Sequence, residues 1–428
     1  MVNALPDGWH TRPIGKIGKV VTGNTPPKAD ELNYGTDVPW VSPIDMGAGK
    51  YVTSTRNSLS ADGAKLARLV PAGSVLVTCI ASIGKNAIAS RELCTNQQIN
   101  AVVVDESHCN EYIYYCIEHH GVPLLQKYAG RTAVPIVPKG LFEKLELPFP
   151  KSKVEQQKIA AILTAVDDKL DVIARQIDAT QTLKQGIMQT LFSRGVGTQD
   201  ADGRWVPHTE FKDSELGRIP RTWHVCQLQD ISAFITKGGT PTTYGFDWVS
   251  PEDGIPFFRS ECVTDQGFNS KGMNFIQHDA HRQMERSEVR PGDILMTITG
   301  NIGRVARAPS DYVTANINQH IARIRINDGD AGYVYQCLKQ DFYAKHYRAI
   351  LTGQAYPQIS LKQVRETPIV LAPFPEQKHI ARVLADTDFK TALLGRKLVE
   401  FQTLKRGLMQ KLLTGEWRVS VDHSASGT

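Results

Sequence analysis

Two short loops place a cation directly behind a glycine: Ser82-Ile83-Gly84-Lys85 and Asn301-Ile302-Gly303-Arg304. Each leaves a β-like run, and a glycine loop ending in a positive side chain suits a phosphate oxygen. Two polar turns, Thr25-Pro26-Pro27-Lys28 and Thr240-Pro241-Thr242-Thr243, add hydroxyls and backbone donors. Asn96-Gln97-Gln98 and Asn318-Gln319-His320 offer amides of the type that pair bidentately with adenine. The competing reading is that these amides satisfy buried backbone. Gly130-Arg131-Thr132-Ala133 and Gly353-Gln354-Ala355-Tyr356 are matching turns, placed near bases on the same reading. The candidate DNA contacts are thus Thr25, Lys28, Ser82, Lys85, Asn96, Gln97, Gln98 and Arg131 in one half of the chain. Thr240, Thr242, Asn301, Arg304, Asn318, Gln319, His320, Gln354 and Tyr356 are their counterparts in the other.

No constellation for covalent chemistry stands out. Gly15-Lys16-Ile17-Gly18 and the segment 121–130 match neither a P-loop nor a dinucleotide fingerprint. There is no Asn-Pro-Pro-aromatic run of the kind adenine methyltransferases carry. Glu376-Gln377-Lys378 has the Glu-x-Lys form of some nuclease sites, but the matching Glu155-Gln156-Gln157 lacks the lysine, and both read as helix starts. His119-His120 has no acidic or cysteine partner at ligand spacing, so no metal site is expected. The seven cysteines (79, 94, 109, 116, 226, 262 and 337) are scattered and form no Cys-x-x-Cys. They point to reduced thiols in a cytoplasm rather than to a disulfide framework. Arg282, Arg286 and Arg290 read as a solvated helix face. No catalytic residue, metal or cofactor is expected on this chain.

The elements that must hold these loops come twice. Pro6-Asp7-Gly8-Trp9 returns as Pro220-Arg221-Thr222-Trp223, and Gly23-Asn24-Thr25-Pro26 as Gly238-Gly239-Thr240-Pro241. Val38-Pro39-Trp40 returns as Ile255-Pro256-Phe257. The copies lie about 214 to 222 residues apart, far beyond a solenoid period of roughly 20–50, so this is a duplicated domain. Duplication of a binding domain implies a ligand with two halves. Each copy begins with a mixed stretch in which Val75–Thr78 and Ile294–Thr297 are the clearest strands, each entered through Pro and Gly.

A helical stretch follows each. The first, from about Ser152 to Phe192, opens on Ser152-x-x-Glu155, the pattern of a capping box. Ile159, Leu163, Val166, Leu170, Ile173 and Ile177 then alternate spacings of four and three, a coiled-coil seam. Leu183, Ile187 and Leu191 continue it after a polar patch at Thr180. The second opens at Pro375-Glu376, carries Ile380, Leu384, Thr387, Leu394, Leu398, Phe401, Leu408 and Leu412, and stops at Gly415. Gly186 and Gly407 stand at matching places, where glycine costs about 1 kcal/mol relative to alanine. Close packing or a bend is expected there. The expected boundaries are 1–150 and 219–374 for the mixed domains, 151–194 and 375–415 for the helices, 195–218 for a connector and 416–428 for a loose tail.

The 428 residues include 41% hydrophobic and 22% charged side chains, the profile of an ordinary globular protein. No run of about 20 apolar residues is present to span a membrane. Met1–His10 lacks a basic stretch followed by an apolar one, so no secretory signal is expected. A net charge of +5 permits a polyanionic partner without demanding one.

The order of these parts resembles the specificity subunit of a type I restriction-modification system over almost the whole chain. The phrases that carry the resemblance are Leu5-Pro6-Asp7-Gly8-Trp9, Asp213-Ser214-Glu215-Leu216-Gly217-Arg218-Ile219-Pro220 ending in Trp223, and Gly239-Thr240-Pro241. Gly292-Asp293-Ile294-Leu295 running to Gly303 and Met409-Gln410-Lys411-Leu412-Leu413-Thr414-Gly415 complete them. The first copy departs at Ser74, where the second has Asp293, which reads as tolerance in a turn rather than loss of function. The resemblance implies an α+β fold: two homologous target recognition domains, each followed by a long helix, with the helices paired as an antiparallel coiled coil of approximate two-fold symmetry. It implies that each domain reads one half of a bipartite double-stranded DNA target. It implies two modification subunits carrying S-adenosylmethionine chemistry, joined by restriction subunits that use ATP and Mg. Because segments 45–70 and 262–290 differ strongly between copies, the two half-sites are expected to differ. Removing about one heptad from both helices is expected to change the gap between half-sites and not the half-sites. Two other readings stay open on the sequence: a coiled-coil adaptor presenting two ligand domains to something other than DNA, and a self-sufficient nuclease or methyltransferase with unfamiliar motifs.

Overall fold

The computed structural model describes residues 5–47, 49–130, 134–351 and 357–420. Two compact units divide the chain: residues 1–175 with 395–428, and residues 176–394. Neither unit is a linear copy of the repeat, because each takes half of each long helix.

The first unit starts and ends its mixed domain on one antiparallel pair, Trp9–Pro13 against Glu146–Pro150. Between these strands lie two five-stranded sheets. One is ordered Gly18–Thr22, Ile99–Val104, Val75–Thr78, Asn86–Ala89, Tyr51–Val52. The other is ordered Tyr34–Gly35, Asn57–Leu59, Val38–Val41, Leu93–Thr95, Leu69–Val70. The second unit repeats this plan. His224–Gln227 pairs with Pro368–Leu371, and two four-stranded sheets centre on Ile321–Ile326 beside Ile294–Thr297 and on Ile255–Phe258 beside Ala315–Ile317. Both expected strands are fully buried, three apolar residues closed by a threonine in each. The fold is α+β, as expected.

The long helices span Lys153–Arg194 and Phe374–Leu412. In the first unit Ile159 and Leu163 pack with Met409, Leu412 and Leu413 under Trp9, Tyr112 and Phe149. In the second, Ile187, Leu191 and Phe192 pack with Ile380 and Leu384 under Trp223 and Tyr333. Within each unit the two helix segments run antiparallel. Glu155 lies at Arg418 and Asp167 at Lys405, while Lys184 lies at Asp388 and Val196 at Glu376.

The helical pattern needs one correction. Leu183 is exposed and does not continue the apolar stripe. The four-three spacing runs on from Ile177 through Thr180, which is buried, and Lys184, which is partly buried, to Ile187 and Leu191. In the second helix Thr391 and Lys405 fill the matching gaps.

Gly186 and Gly407 also depart from expectation. A Cβ at either meets nothing within 4 Å, so no close packing requires glycine there. Gly186→Ala and Gly407→Ala are each expected to stabilise by up to about 1 kcal/mol. A melting temperature that falls in both variants would show a constraint on the backbone instead.

The helix starts are tied into the domains by a duplicated Glu-Gln dipeptide. Gln156 accepts from the Cys109 amide at 2.9 Å and donates to the Pro150 carbonyl at 3.0 Å. Gln377 does the same with the Asp330 amide at 2.8 Å and the Ala372 carbonyl at 2.7 Å. The capping box is only half formed: the Glu155 amide donates to Ser152 Oγ at 3.4 Å. The Glu155 carboxylate turns instead to Trp9 Nε1 and to Arg418. Glu376, its counterpart, is buried and accepts from Trp223 Nε1 at 2.8 Å, from the Val196 and Gly197 amides at 2.7 and 3.0 Å, and from His208. The carboxylates that resembled nuclease groups are thus fully engaged in holding helix starts.

The connector is ordered into two hairpins, Thr198–Gln199 with Trp205–Val206 and Phe211–Ser214 with Gly217–Pro220. Of the expected tail, Arg418 donates to the Asp7 carbonyl at 2.9 Å and Lys158 to the Ser420 carbonyl at 2.6 Å. Residues 421–428 lie outside the described residues.

Histidines set an acid limit on the first unit. His10, His108, His119 and His120 all lie there, and burial holds each below the ordinary imidazole range. The Phe149 ring stands edge-on to both His10 and His108. The folded unit therefore takes up protons on these rings at lower pH than the unfolded chain, which does so near pH 6.5. Stability is therefore full above about pH 6.5 and is lost as pH falls towards the lower folded values. Hydrogen exchange at pH 7 and pH 5 is expected to show protection falling more in the first unit than in the second. Equal loss in both would dismiss the histidine account.

Candidate nucleic-acid interface

Four sequence segments that lie far apart are brought to one place in each unit. In the first, the Asn24 amide donates to the Thr95 carbonyl, and Thr25 Oγ1 donates to Gln97 Oε1 at 2.5 Å. The Cys79 amide donates to the Gln98 carbonyl at 2.7 Å, joining the glycine loop to the same turn. The Ala81 amide donates to the Pro135 carbonyl and the Val137 amide to the Cys79 carbonyl, which docks the segment 134–138 on the same loop. In the second unit Thr240 Oγ1 donates to Gln319 Oε1 at 2.7 Å, the Ile298 amide to the His320 carbonyl at 2.9 Å, and the Ile359 amide to the Ile298 carbonyl at 3.0 Å.

Local chemistry explains each segment. The glycine loops are folded by a threonine at the strand end. Thr78 Oγ1 donates to the Ser82 carbonyl and accepts from the Lys85 amide; Thr297 does so with Asn301 and Arg304. Gly84 and Gly303 take φ of 91° and 82°, a region that favours glycine. The residue at the corner of the loop is left-handed in both units: Gly300 in the second, but Ala81, at φ 62°, in the first. That conformation costs a non-glycine residue roughly 1–2 kcal/mol, so the first loop is the more strained.

The candidate residues divide by burial. Asn96 and Asn318 are 7% and 9% exposed and close Asx turns, accepting from the amides of Gln98 and His320. They satisfy backbone, as the competing reading had it. Gln97 and Gln319 are exposed, each with its Oε1 held by the neighbouring threonine. Lys28, Ser82, Thr242 and Asn301 are exposed, and His320 is half-buried with Nε2 against the Gln319 amide. The two cations are engaged within the protein: Lys85 Nζ donates to the Pro43 carbonyl at 2.6 Å, and Arg304 forms two bonds to Asp265 at 2.9 and 2.7 Å. Exposed ion pairs are worth under about 1 kcal/mol, so a phosphate can displace Asp265. Arg131, Gln354 and Tyr356 lie outside the described residues.

Two further readings change with the structure. Arg282, Arg286 and Arg290 share no helix face: Arg282 pairs with Asp279 in the short helix His278–Gln283, and Arg290 pairs with Glu288 beyond a break in the chain's direction. Ser74 against Asp293 is more than tolerance in a turn. Asp293 holds Arg325 by two 2.7 Å bonds, and the strand position of Arg325 is Val103 in the first copy. Arg323 beside it lies 4.3 Å from the Phe234 ring, and its burial lowers its pKa to about 10. The same sheet face in the first unit is apolar, built from Val21, Leu76, Ala101 and Val103. Sequence reasoning missed this pairing because it couples two positions that each look unremarkable.

Nothing in the described residues prepares a nucleophile. Burial raises the thiols, to about 12 at Cys79 and Cys337 and to about 11 at Cys94, Cys109, Cys226 and Cys262. His120 Nε2 contacts the Leu413 carbonyl at 3.0 Å, and no metal-binding group of His, Cys, Asp and Glu occurs among the described residues. No helix among them is long and apolar enough to cross a membrane.

Known proteins match this architecture along its whole length. The chain is 23% identical over 426 residues to the type I restriction enzyme MjaIX specificity subunit of Methanocaldococcus jannaschii, covering 98% of this chain and 95% of that one. It is 28% identical over 357 residues to the EcoBI specificity subunit of Escherichia coli, covering 78% and 72%. The crystal structure of the S subunit of a type I restriction-modification system from M. genitalium shares the fold, with a TM-score of 0.60 at 15% identity over 96% of each chain. The model of the family described as type I restriction modification DNA specificity domain matches twice, over residues 6–181 and 220–402. On that double match the chain belongs to the type I restriction-modification specificity subunits, the family that confers DNA sequence specificity in these systems.

Proposed function

We propose that this chain is a non-catalytic subunit that reads an asymmetric, bipartite double-stranded DNA target, one half-site per unit. The observation that carries this reading is the repeated gathering of the same four segments, with the same threonine–glutamine contact and different residues around it. Shared groups suit what both half-sites share, the phosphodiester backbone; the differing ones suit bases. The long helices act as the spacer between half-sites and as the seat for two modification subunits, which supply S-adenosylmethionine chemistry. Restriction subunits using ATP and Mg complete the assembly.

The test is the methylome of a methylation-deficient host that expresses the modification subunit of the same system, with and without this chain. Adenine methylation at one asymmetric two-part motif, present only with the chain, is the expected result. If the modification subunit is folded and bound to this chain yet no new motif appears, the chain is an adaptor for some other ligand.

A further inference from the structure

Both units contain the same charged contact, away from the candidate DNA loops. In the first, the Asp167 carboxylate accepts from the Tyr115 hydroxyl at 2.6 Å and lies 3.0 Å from the Lys405 ammonium. Tyr115 belongs to the domain helix Asn110–Cys116, Asp167 to the first long helix and Lys405 to the second. One carboxylate therefore joins the recognition domain to both helix segments. Lys405 also reaches Glu118 at 3.3 Å. In the second unit the Asp388 carboxylate accepts from Gln336 Nε2 at 2.7 Å and pairs with Lys184 at 2.6 Å. Gln336 again comes from the domain, in the helix Ala331–Leu338.

The lysines stand at stripe positions otherwise filled by apolar residues or threonine, and their side chains are only 15% and 12% exposed. A charge so placed is a poor source of stability. Its best-attested use is to fix register, because a misaligned partner leaves it buried and unpaired. Apolar stripes are non-directional and tolerate small slides; a charge-assisted hydrogen bond does not. The domain-side donor differs, tyrosine in one unit and glutamine in the other, while the lysine and aspartate recur.

We infer that Asp167–Lys405 and Asp388–Lys184 are positioning pairs that fix the height and angle of each recognition domain on its helix segments, so that only one DNA gap length is accepted. This rests on the bipartite reading proposed above. The pairs touch none of the threonine, glutamine or glycine-loop contacts, so disturbing them should alter spacing and leave the half-site words intact.

The test uses the full chain with its modification subunit and reads gap length by methylome sequencing. Asp388→Lys is expected to keep both half-site words while methylation at gaps one base pair longer or shorter rises about tenfold above its background, a change of about 1.4 kcal/mol in relative preference. The swap Asp388→Lys with Lys184→Asp is expected to restore the single gap. Gln336 can serve the swap, because its buried Oε1 has no partner and can accept from a lysine. Should Asp388→Lys not fold, Asp388→Asn keeps the size and the Gln336 contact and removes only the charge. A folded Asp388→Asn that keeps a single gap overturns the inference and leaves the pair a stabilising role. A folded variant that methylates nothing overturns it too, by placing the pair in assembly. Absence of any two-part motif with the parent chain would instead be a failure of the bipartite reading.

Discussion

Replacing Glu376 with alanine is expected to destabilise the second unit by about 3–5 kcal/mol, the usual effect of breaking a buried charged network by removing one partner. Four donors converge on this carboxylate: Trp223 Nε1, the Val196 and Gly197 amides, and His208 Nε2 at 3.1 Å. Its side chain is 2% exposed and that of His208 is 5% exposed, so water cannot replace it without opening the unit. Each orphaned donor then carries its own desolvation cost. Glu155→Ala is the internal control. Its partners are Arg418, whose side chain is 46% exposed, and Trp9 Nε1 at a long 3.4 Å. Arg418 can return to solvent, so the loss there should be smaller. Hydrogen exchange compares the two, read across 176–394 for Glu376→Ala and across 5–175 for Glu155→Ala. Equal sensitivity of both variants would refute the idea that burial sets the difference.

The second large effect is expected at Gly238. A Cβ built there falls inside contact distance of the Ile317 and Asn318 carbonyls, which are backbone atoms that cannot rotate away. Gly23 faces the Thr95 and Asn96 carbonyls in the same way. Neither glycine is needed for a left-handed turn; each is needed for close approach of two loops. Gly238→Ala must push the Thr240 loop off the Asn318-Gln319 turn, at a cost of roughly 1–3 kcal/mol or more. The 2.7 Å contact between Thr240 and Gln319 is lost with it. Methylation directed by this chain is then expected to fall at least about tenfold, since 1.4 kcal/mol of lost binding suffices for that. Gly140→Ala is the matched control, as a Cβ there meets nothing within 4 Å. If Gly238→Ala methylates as well as Gly140→Ala, the loop is not part of the interface.

How much of this was legible beforehand depends on the range of the interactions involved. The long helices were readable because their signal is local: Ile159, Leu163, Val166 and Leu170 repeat within one element. The stripe was lost at Leu183 because Lys184 is polar, and only Asp388, a distant residue, makes its partial burial tolerable. The duplication was readable because glycines and prolines in turns obey local sterics. Glu155 stands three residues from Ser152, but its carboxylate is held by Arg418, 263 residues away in sequence. Among the candidate DNA residues, type and spacing picked out four segments that the fold brings together. Spacing did not distinguish exposed Gln97 from buried Asn96 one residue away, because that depends on which way the turn faces. The occupation of Lys85 by Pro43 and of Arg304 by Asp265 was equally invisible.

The division of the helices between the two units also orders events in time. The second unit is a continuous stretch, complete once Leu394 has been made. The first needs Met409, Leu412 and Leu413 beneath Trp9 and Tyr112, and these are synthesised only after the whole second unit. Of the two units, the one begun earlier is therefore finished later. Throughout synthesis of the second unit, the apolar faces of Ile159, Leu163 and Phe149 wait without their cover. In that interval the nascent chain is most exposed to misassembly.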